Sequence, residues 1–314
     1  MRRTALRSQQ RRQGFVLIAV LWVLVLVSTL GMAAGLAARD AIGTTRNRVE
    51  STRARWRAEG CFERARAAAE AALATASNAA FGAWDSLDTV VRESDGLAGS
   101  DCNVTVEASG IRLDANSASA ERIRLSLRAL GAAALLADSL TDALIDWRDA
   151  DDAMSPAGAE SDWYALEERI GPRNAPLGNA AELTLIRGFG ELEPARSLFD
   201  VEPLGTAINH APYAVLAALP AFTPELTASV LERRARGTPI ADLASLGSLV
   251  SADARDQLMA RFPELAAAAT IHPVAWSFTS SVASEPGEPV RARLVVRVER
   301  AGDRLAIMRR SVWP

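Results

Sequence analysis

Twenty-four residues, Phe15 to Ala38, pass without a charged side chain, and five arginines (Arg2, Arg3, Arg7, Arg11 and Arg12) stand in front of them. As an α-helix this run measures about 36 Å, enough to cross a hydrocarbon core of about 30 Å with some tilt. A conventional signal peptide has a shorter apolar region closed by an A-x-A-like site. Ala33-Ala34-Gly35 and Leu36-Ala37-Ala38 come close to such a site, so removal of the whole segment is the competing reading. The leading arginines place the N-terminus in the cytoplasm and the body across the membrane by the positive-inside rule.

The helix is not expected to stop at the membrane. From Asp40 to Ala80 there is no proline, and Ile42, Val49 and Trp56 recur every seven residues among arginines and glutamates. That pattern predicts one continuous helix, apolar first and amphipathic later. Charge narrows the options for the rest. The formal net charge is −3; without residues 1–14, 30 arginines face 38 acids, a net of −8. An acidic body argues against a nucleic-acid surface as its main business. No lysine occurs; every basic residue is arginine. The two cysteines, Cys61 and Cys102, form one disulfide in an oxidising compartment or remain two buried thiols. A disulfide there closes a loop of about 40 residues, worth about 4 kcal/mol in the chain-entropy model.

With 314 residues, 49% of them hydrophobic, the chain has room for two domains or for one with a large insertion. SDCNVTVEASGIRLDANS reads as two short strands around the Ser109-Gly110 turn. Near the C-terminus, ATIHPVAWSFTSSVAS and PVRARLVVRVERAGDRLAIMRRSVW largely alternate apolar and polar residues, with His272 on a strand. Leu294–Val298 and Leu305–Met308 are expected to pair across Ala301-Gly302-Asp303. Between these strands, residues 117–266 read as almost all helix, including ELTLIRGF. Asn116 and the Asn209-His210 pair open two of the helices, where asparagine can cap exposed amides. The fold class is therefore α+β: a long N-terminal helix and an antiparallel sheet interrupted by a large helical insertion.

Asp146, Asp149, Asp151, Asp152, Glu160 and Asp162 gather around a Pro/Gly loop. Hard oxygens at this density suit calcium, although the spacing is not that of an EF-hand. A solvated acidic loop whose aspartates cap helices is the alternative. The stretch NHAPYAVLAALPAFTPELTASVLERR resembles a helix-hairpin-helix DNA-binding element, with Arg233, Arg234 and Arg236 nearby. Its hairpin, Ala221-Phe222-Thr223, lacks the glycines that let backbone amides approach a phosphate. Two isolated histidines, with no nucleophile elbow, P-loop or dinucleotide fingerprint, make no catalytic site. An enzyme is not expected. Trp22 and Trp147 are expected as packing anchors.

The Gly14-Phe15 junction between the charged leader and the apolar run resembles type IV pilins and type II secretion pseudopilins. More specifically, LIDWRDADDAMSPAGAESDWY, PRNAPLGNAAELTLIRGF and AINHAPYAVLAALP resemble segments of the K-type minor pseudopilin, general secretion pathway protein K. This resemblance implies cleavage after Gly14 by a prepilin peptidase and methylation of Phe15. It implies a leader at 1–14, a membrane helix at 15–38, and the rest of the pilin helix with first strands at 39–116. An inserted α-domain then spans 117–266, and strands at 267–314 complete a pilin-like sheet. Most of the class carries glutamate at the fifth mature position; Ala19 stands here, which suits a subunit with nothing above it.

The implied role is nucleating or capping the type II secretion pseudopilus from its tip, for protein export across the outer membrane. The implied partners are the I-, J- and H-type minor pseudopilins, the major pseudopilin, the inner-membrane platform and secreted substrates. Calcium is the implied cofactor, and the inner membrane with a periplasmic body the implied location. A type IV pilus minor pilin and a membrane-tethered helix-hairpin-helix DNA binder are the alternative functions.

Overall fold

The computed structural model describes residues 4–75, 86–94, 103–201, 204–283, 289–302 and 304–313, with side chains described from Val16 onward except at 73 and 75. One helix, α1 (Thr4–Thr75), runs for 72 residues. No proline interrupts it, and alanine and arginine, both strong helix formers, fill its second half. Thr44, Thr45 and Thr52 turn their hydroxyls onto carbonyls four residues earlier, each at 2.8 Å. Their polar groups are thereby satisfied inside the helix. An 18-residue window near its start reaches a mean hydropathy of 2.6 with none of it buried. That part of α1 is long and apolar enough to cross a membrane.

After α1 come α2 (Leu87–Arg92) and β1 (Asn103–Ala108). The two-residue strand β2 (Leu113–Asp114) opens a helical stretch of α3 (Ala120–Ala129), α4 (Ala134–Arg148), α5 (Ser161–Leu166) and α6 (Glu193–Arg196). Strands β3 (Phe199–Asp200) and β4 (Thr206–Ala207) precede α7 (Tyr213–Leu216), α8 (Pro224–Ala235), α9 (Ala252–Ala260) and α10 (Phe262–Ala268). Four strands close the chain: β5 (Ala269–Thr270), β6 (Ala275–Ala283), β7 (Val290–Ala301) and β8 (Arg304–Trp313).

β1, β6, β7 and β8 form an antiparallel sheet in that order, so strands far apart in sequence are neighbours. As the sequence predicts, β7 and β8 pair across a turn at Gly302, with Val298 opposite Ile307. The sheet packs one face on α1, where Ala54, Ala58, Cys61, Phe62, Ala65 and Ala69 are buried. Phe62 meets Phe278 edge-on at 5.8 Å, and Arg310 reaches from β8 to Glu59 (2.9 Å) and Glu63 (3.0 Å).

The direction of β7 fixes where the insertion lies. Arg291, at its start, is 4.0 Å from Glu50, whereas the amide of Leu305, past its far end, donates to Glu70 at 3.0 Å. β7 thus runs along α1 away from the apolar segment. β6 and β1 alternate in direction, which brings Ala108 and Ala275 to the remote end of the sheet. There the chain leaves the sheet and rejoins it.

Between those points a second hydrophobic core, with buried residues from Leu113 to Ala269, shares none with the first. Its helices are shorter than the sequence pattern suggests. ELTLIRGF forms only a 3₁₀ turn, Ala180–Leu185, because Pro176 and Gly178 precede it and Gly188 and Gly190 follow. β3 and β4 fall inside the stretch expected to be nearly all helix, pairing in parallel with β2 and β5. The second strand of the SDCNVTVEASGIRLDANS segment therefore joins β3 rather than β1. His272 also departs from expectation: Pro273 follows it, and it occupies a bend between β5 and β6. At the Ser109-Gly110 turn, Gly110 has φ +80° and a Cβ there would lie 2.4 Å from the Gly205 carbonyl oxygen. Only glycine allows the backbones to approach this closely.

The two asparagines do not cap helices. Asn116 Nδ2 donates to the Leu177 carbonyl (3.0 Å) and its Oδ1 accepts from the Leu177 amide (2.7 Å). Asn209 treats Ile240 in the same way, both bonds at 2.9 Å. Ser119 caps α3 instead, accepting from the Arg122 amide. An asparagine side chain has the donor and acceptor of a peptide group, so each pairs with a distant backbone as a strand would.

Candidate functional site

The last turn of α4 carries Asp146 and Trp147 into the second core, and the acidic loop leaves from Asp149. Asp146 is fully buried, and its carboxylate accepts from the Ser155 amide at 3.2 and 3.1 Å. A Cβ on Gly158 would lie 1.9 Å from Asp146 Oδ2, so this loop closes over the carboxylate only with glycine there. Asp142 accepts from the Ala157 amide (3.1 Å), and Asp151 from that of Ala153 (2.9 Å). Asn174, at φ 48°, donates to Asp152 Oδ1 (2.9 Å) and to the Asp151 carbonyl (3.3 Å). Much of the acidic loop is therefore folded by its own carboxylates and carbonyls accepting N–H groups.

A set of oxygens is left over. Both carboxylate oxygens of Glu160, Asp149 Oδ1 and Asn174 Oδ1 are buried without a hydrogen-bond partner. Glu160 is only 4% exposed. Burial first, then the charges of Asp146, Asp149 and Asp152, push its carboxyl up to about 7. Asp149 is raised in the same sense, by burial and then by Asp151 and Asp146. Asp162 lies apart, on the exposed first turn of α5. Among the described residues no three His, Cys, Asp or Glu side chains are drawn into one ligand shell. What the loop does assemble is a group of hard oxygens lacking donors, a chemistry that fits calcium and leaves each unpaired oxygen costly in its absence.

Around the loop, side chains that composition did not single out hold it in place. Tyr164 stacks edge-on with Trp147 (5.4 Å) and Trp163 (5.0 Å), and its hydroxyl accepts from the Arg187 amide at 2.9 Å. Arg187 donates to the Gly158 carbonyl (2.7 Å) and lies over Trp163 at 4.8 Å. Arg148 donates to the carbonyls of Ala115 and Ala118, and burial lowers its pKa. A guanidinium carries five donors in a fixed fork, which lets Arg148 meet both carbonyls from two of its nitrogens.

Residues 100–196 match the family model for type II secretion system (T2SS), protein K. That segment is about a third of the chain, and over it the chain is similar to the protein K family. The match runs from the strand before the insertion through the whole acidic loop, the region with the unpartnered oxygens. In fold, the chain resembles a chain of the crystal structure of the GspK-GspI-GspJ complex from the enterotoxigenic Escherichia coli type 2 secretion system. That likeness has a TM-score of 0.58 at 15% identity over 86% of this chain and 99% of that one. No curated protein matches the chain.

Several of the other expected positions fall on α1. Gly14 and Phe15 lie within the helix, their side chains outside the described residues, and Ala19 is exposed on it. Cys61, on the buried face of α1, is disulfide-bonded, while Cys102 lies outside the described residues. In the hairpin of α7 and α8, Ala221 takes the left-handed φ of 61° where a DNA-binding hairpin places glycine. Its arginines serve the fold: Arg234 donates to the Ala211 (2.6 Å) and His210 (3.2 Å) carbonyls, and Arg233 to that of Thr238 (3.2 Å).

Proposed function

We propose that this chain is a minor pseudopilin of the type II secretion system and occupies the tip of the pseudopilus, where it nucleates or caps assembly with I- and J-type partners. The observation that carries the reading is the placement of the helical body. The chain leaves and rejoins the sheet at the end remote from the apolar half of α1, so a bulky second core stands where a further subunit would otherwise stack. The chain it resembles in fold belongs to a GspK-GspI-GspJ complex, which supports the choice of partners. On this reading the body lies in the periplasm, α1 spans the inner membrane, and the leader is removed between Gly14 and Phe15. H-type and major pseudopilins, the inner-membrane platform and secreted substrates complete the proposed set of contacts. Glu160, Asp149 and Asn174 carry the unpartnered oxygens that would hold a calcium ion, which would offset the repulsion of Glu160 with Asp146, Asp149 and Asp152 and tie the loop to α4.

Two measurements test this. Intact-mass analysis of membrane-extracted protein with prepilin peptidase should give a chain starting at methylated Phe15. An uncut chain, or one cut near Ala38, removes the pseudopilin pathway. Gold labelling of the protein on overproduced pseudopili should mark one end of each fibre; label spread along the fibres removes the tip assignment.

A further inference from the structure

A cleft of about 270 Å³ opens where α3, the turn between α7 and α8, and the start of α10 meet. Arg122 and Leu125 line it from α3, one turn apart on the same face. Leu219 and Pro220 line it from the turn, and Arg261 and Glu264 from the side of α10. One part of the wall is therefore apolar and the other charged. The volume lies just under the roughly 300–1,000 Å³ of sites for drug-sized molecules. It admits the end of a chain but no folded element.

The charges in this wall are unequally matched. Glu264 holds Arg261, accepting from its Nε at 3.0 Å and from a terminal nitrogen at 2.8 Å. Arg122 uses only Nε, which donates to the Ala218 carbonyl at 3.2 Å. Among the described residues its terminal nitrogens meet no acceptor, and no carboxylate stands within ion-pair distance of them. Asp114 is the acid whose charge it feels, but Asp114 acts on Arg148 as well and already accepts from the Asn116 amide at 2.9 Å. Burial accordingly lowers the Arg122 pKa. Glu121 reaches the cleft too, but it is exposed, and adjacent residues on a helix do not face each other. Arg122 thus presents a half-buried fork, fixed through Nε, whose charge no neighbour neutralises. A carboxylate meets such a fork with two parallel hydrogen bonds.

We propose that this cleft binds the free C-terminal residue of another polypeptide, with its carboxylate on the Arg122 fork and an apolar side chain against Leu125, Leu219 and Pro220. A terminus suits the space better than an internal acidic residue, which would have to bring chain in from both directions. Such binding requires no assembly, so it is independent of the pseudopilin role. The test uses full-length protein in nanodiscs and the N-terminally fluorescein-labelled peptide Gly-Ser-Gly-Ser-Ala-Leu as its free acid. The same peptide amidated at its C-terminus is the control, and amidated Gly-Ser-Gly-Ser-Glu-Leu offers a side-chain carboxylate instead. Anisotropy should show the free acid binding about tenfold more tightly than its amide, as one charge-assisted contact allows. Arg122→Gln should abolish that difference. So should Leu125→Glu, which sets a like charge beside the ligand from a residue already 43% exposed. Near-ultraviolet circular dichroism checks that each variant is folded, and Leu125→Glu decides the matter if Arg122→Gln is not. Equal binding of acid and amide, or a difference that survives in either folded variant, overturns the proposal. Amidated glutamate peptide binding as tightly as the free acid overturns it too, by giving the cleft to acidic side chains.

Discussion

The two cores of this protein are held together by different means. The first is a helix laid on a sheet: long elements, alternating strands and contacts such as Phe62 against Phe278. Few side chains must bond to backbone there, because strands and helix satisfy their own amides. In the second core the helices are short and the connections long, which leaves many carbonyls without a regular partner. Arginine and asparagine supply it: Arg148 to Ala115 and Ala118, Arg234 to Ala211, Asn116 to Leu177, Asn209 to Ile240. Irregular chain can thus be made rigid, provided planar polar groups replace the missing ladders.

The largest expected effect breaks the first core alone. Phe62→Ala should cost about 3–5 kcal/mol in urea unfolding followed by Trp276 fluorescence. Because the cores share no buried residue, the near-ultraviolet signal of Trp147, Tyr164 and Trp163 should persist past that transition. Simultaneous loss of both signals would show the cores to be one cooperative unit.

Next comes Glu160. Its folded carboxyl titrates near 7 and its unfolded one near 4.5. Between those values the folded state holds the proton and the unfolded state does not, so stability of ion-free protein falls as pH rises through that window. Above pH 7 the full penalty, about 3 kcal/mol, is present. In chelator, Glu160→Gln should therefore raise Tm at pH 8 and leave it nearly unchanged at pH 4. Added calcium should raise Tm of the native protein at pH 8 and have little effect on the variant; equal calcium shifts would remove Glu160 from the ion site.

A smaller effect tests the asparagine pairing. Asn209→Ala leaves the buried Ile240 amide and carbonyl without partners and should cost about 2 kcal/mol, with Asn209→Asp recovering only the amide half. Asn116→Ala should behave alike, since the two clamps are built alike. Thermal unfolding unmoved by either change would mean that packing, not pairing, holds those loops. Smallest of all, Glu50→Gln should leave thermal unfolding nearly unmoved, as expected for an exposed i,i+4 ion pair on a helix.

Much of the first region was legible from sequence because its elements announce themselves locally. Twenty-four uncharged residues, the proline-free stretch to Thr75 and the alternation through Val290–Trp313 each carry their own period. The second region was legible in identity rather than in detail. Its acidic residues were visible, but that Asp146 is spent on Ser155 while Glu160 is left without a donor depends on where a loop closes. Asn116 looked like a cap because it precedes a helix, and nothing nearby in sequence reveals a partner 61 residues on.

The sequence by itself determined the membrane-length helix, the strands and the two-part plan, since hydrophobic periodicity is a property of neighbours along the chain. Only the tertiary structure decided that the insertion stands at the sheet's remote end, which face of α1 is left open, and which oxygens lack donors. Those depend on strand direction and on contacts between residues far apart in the chain, and no local pattern encodes them.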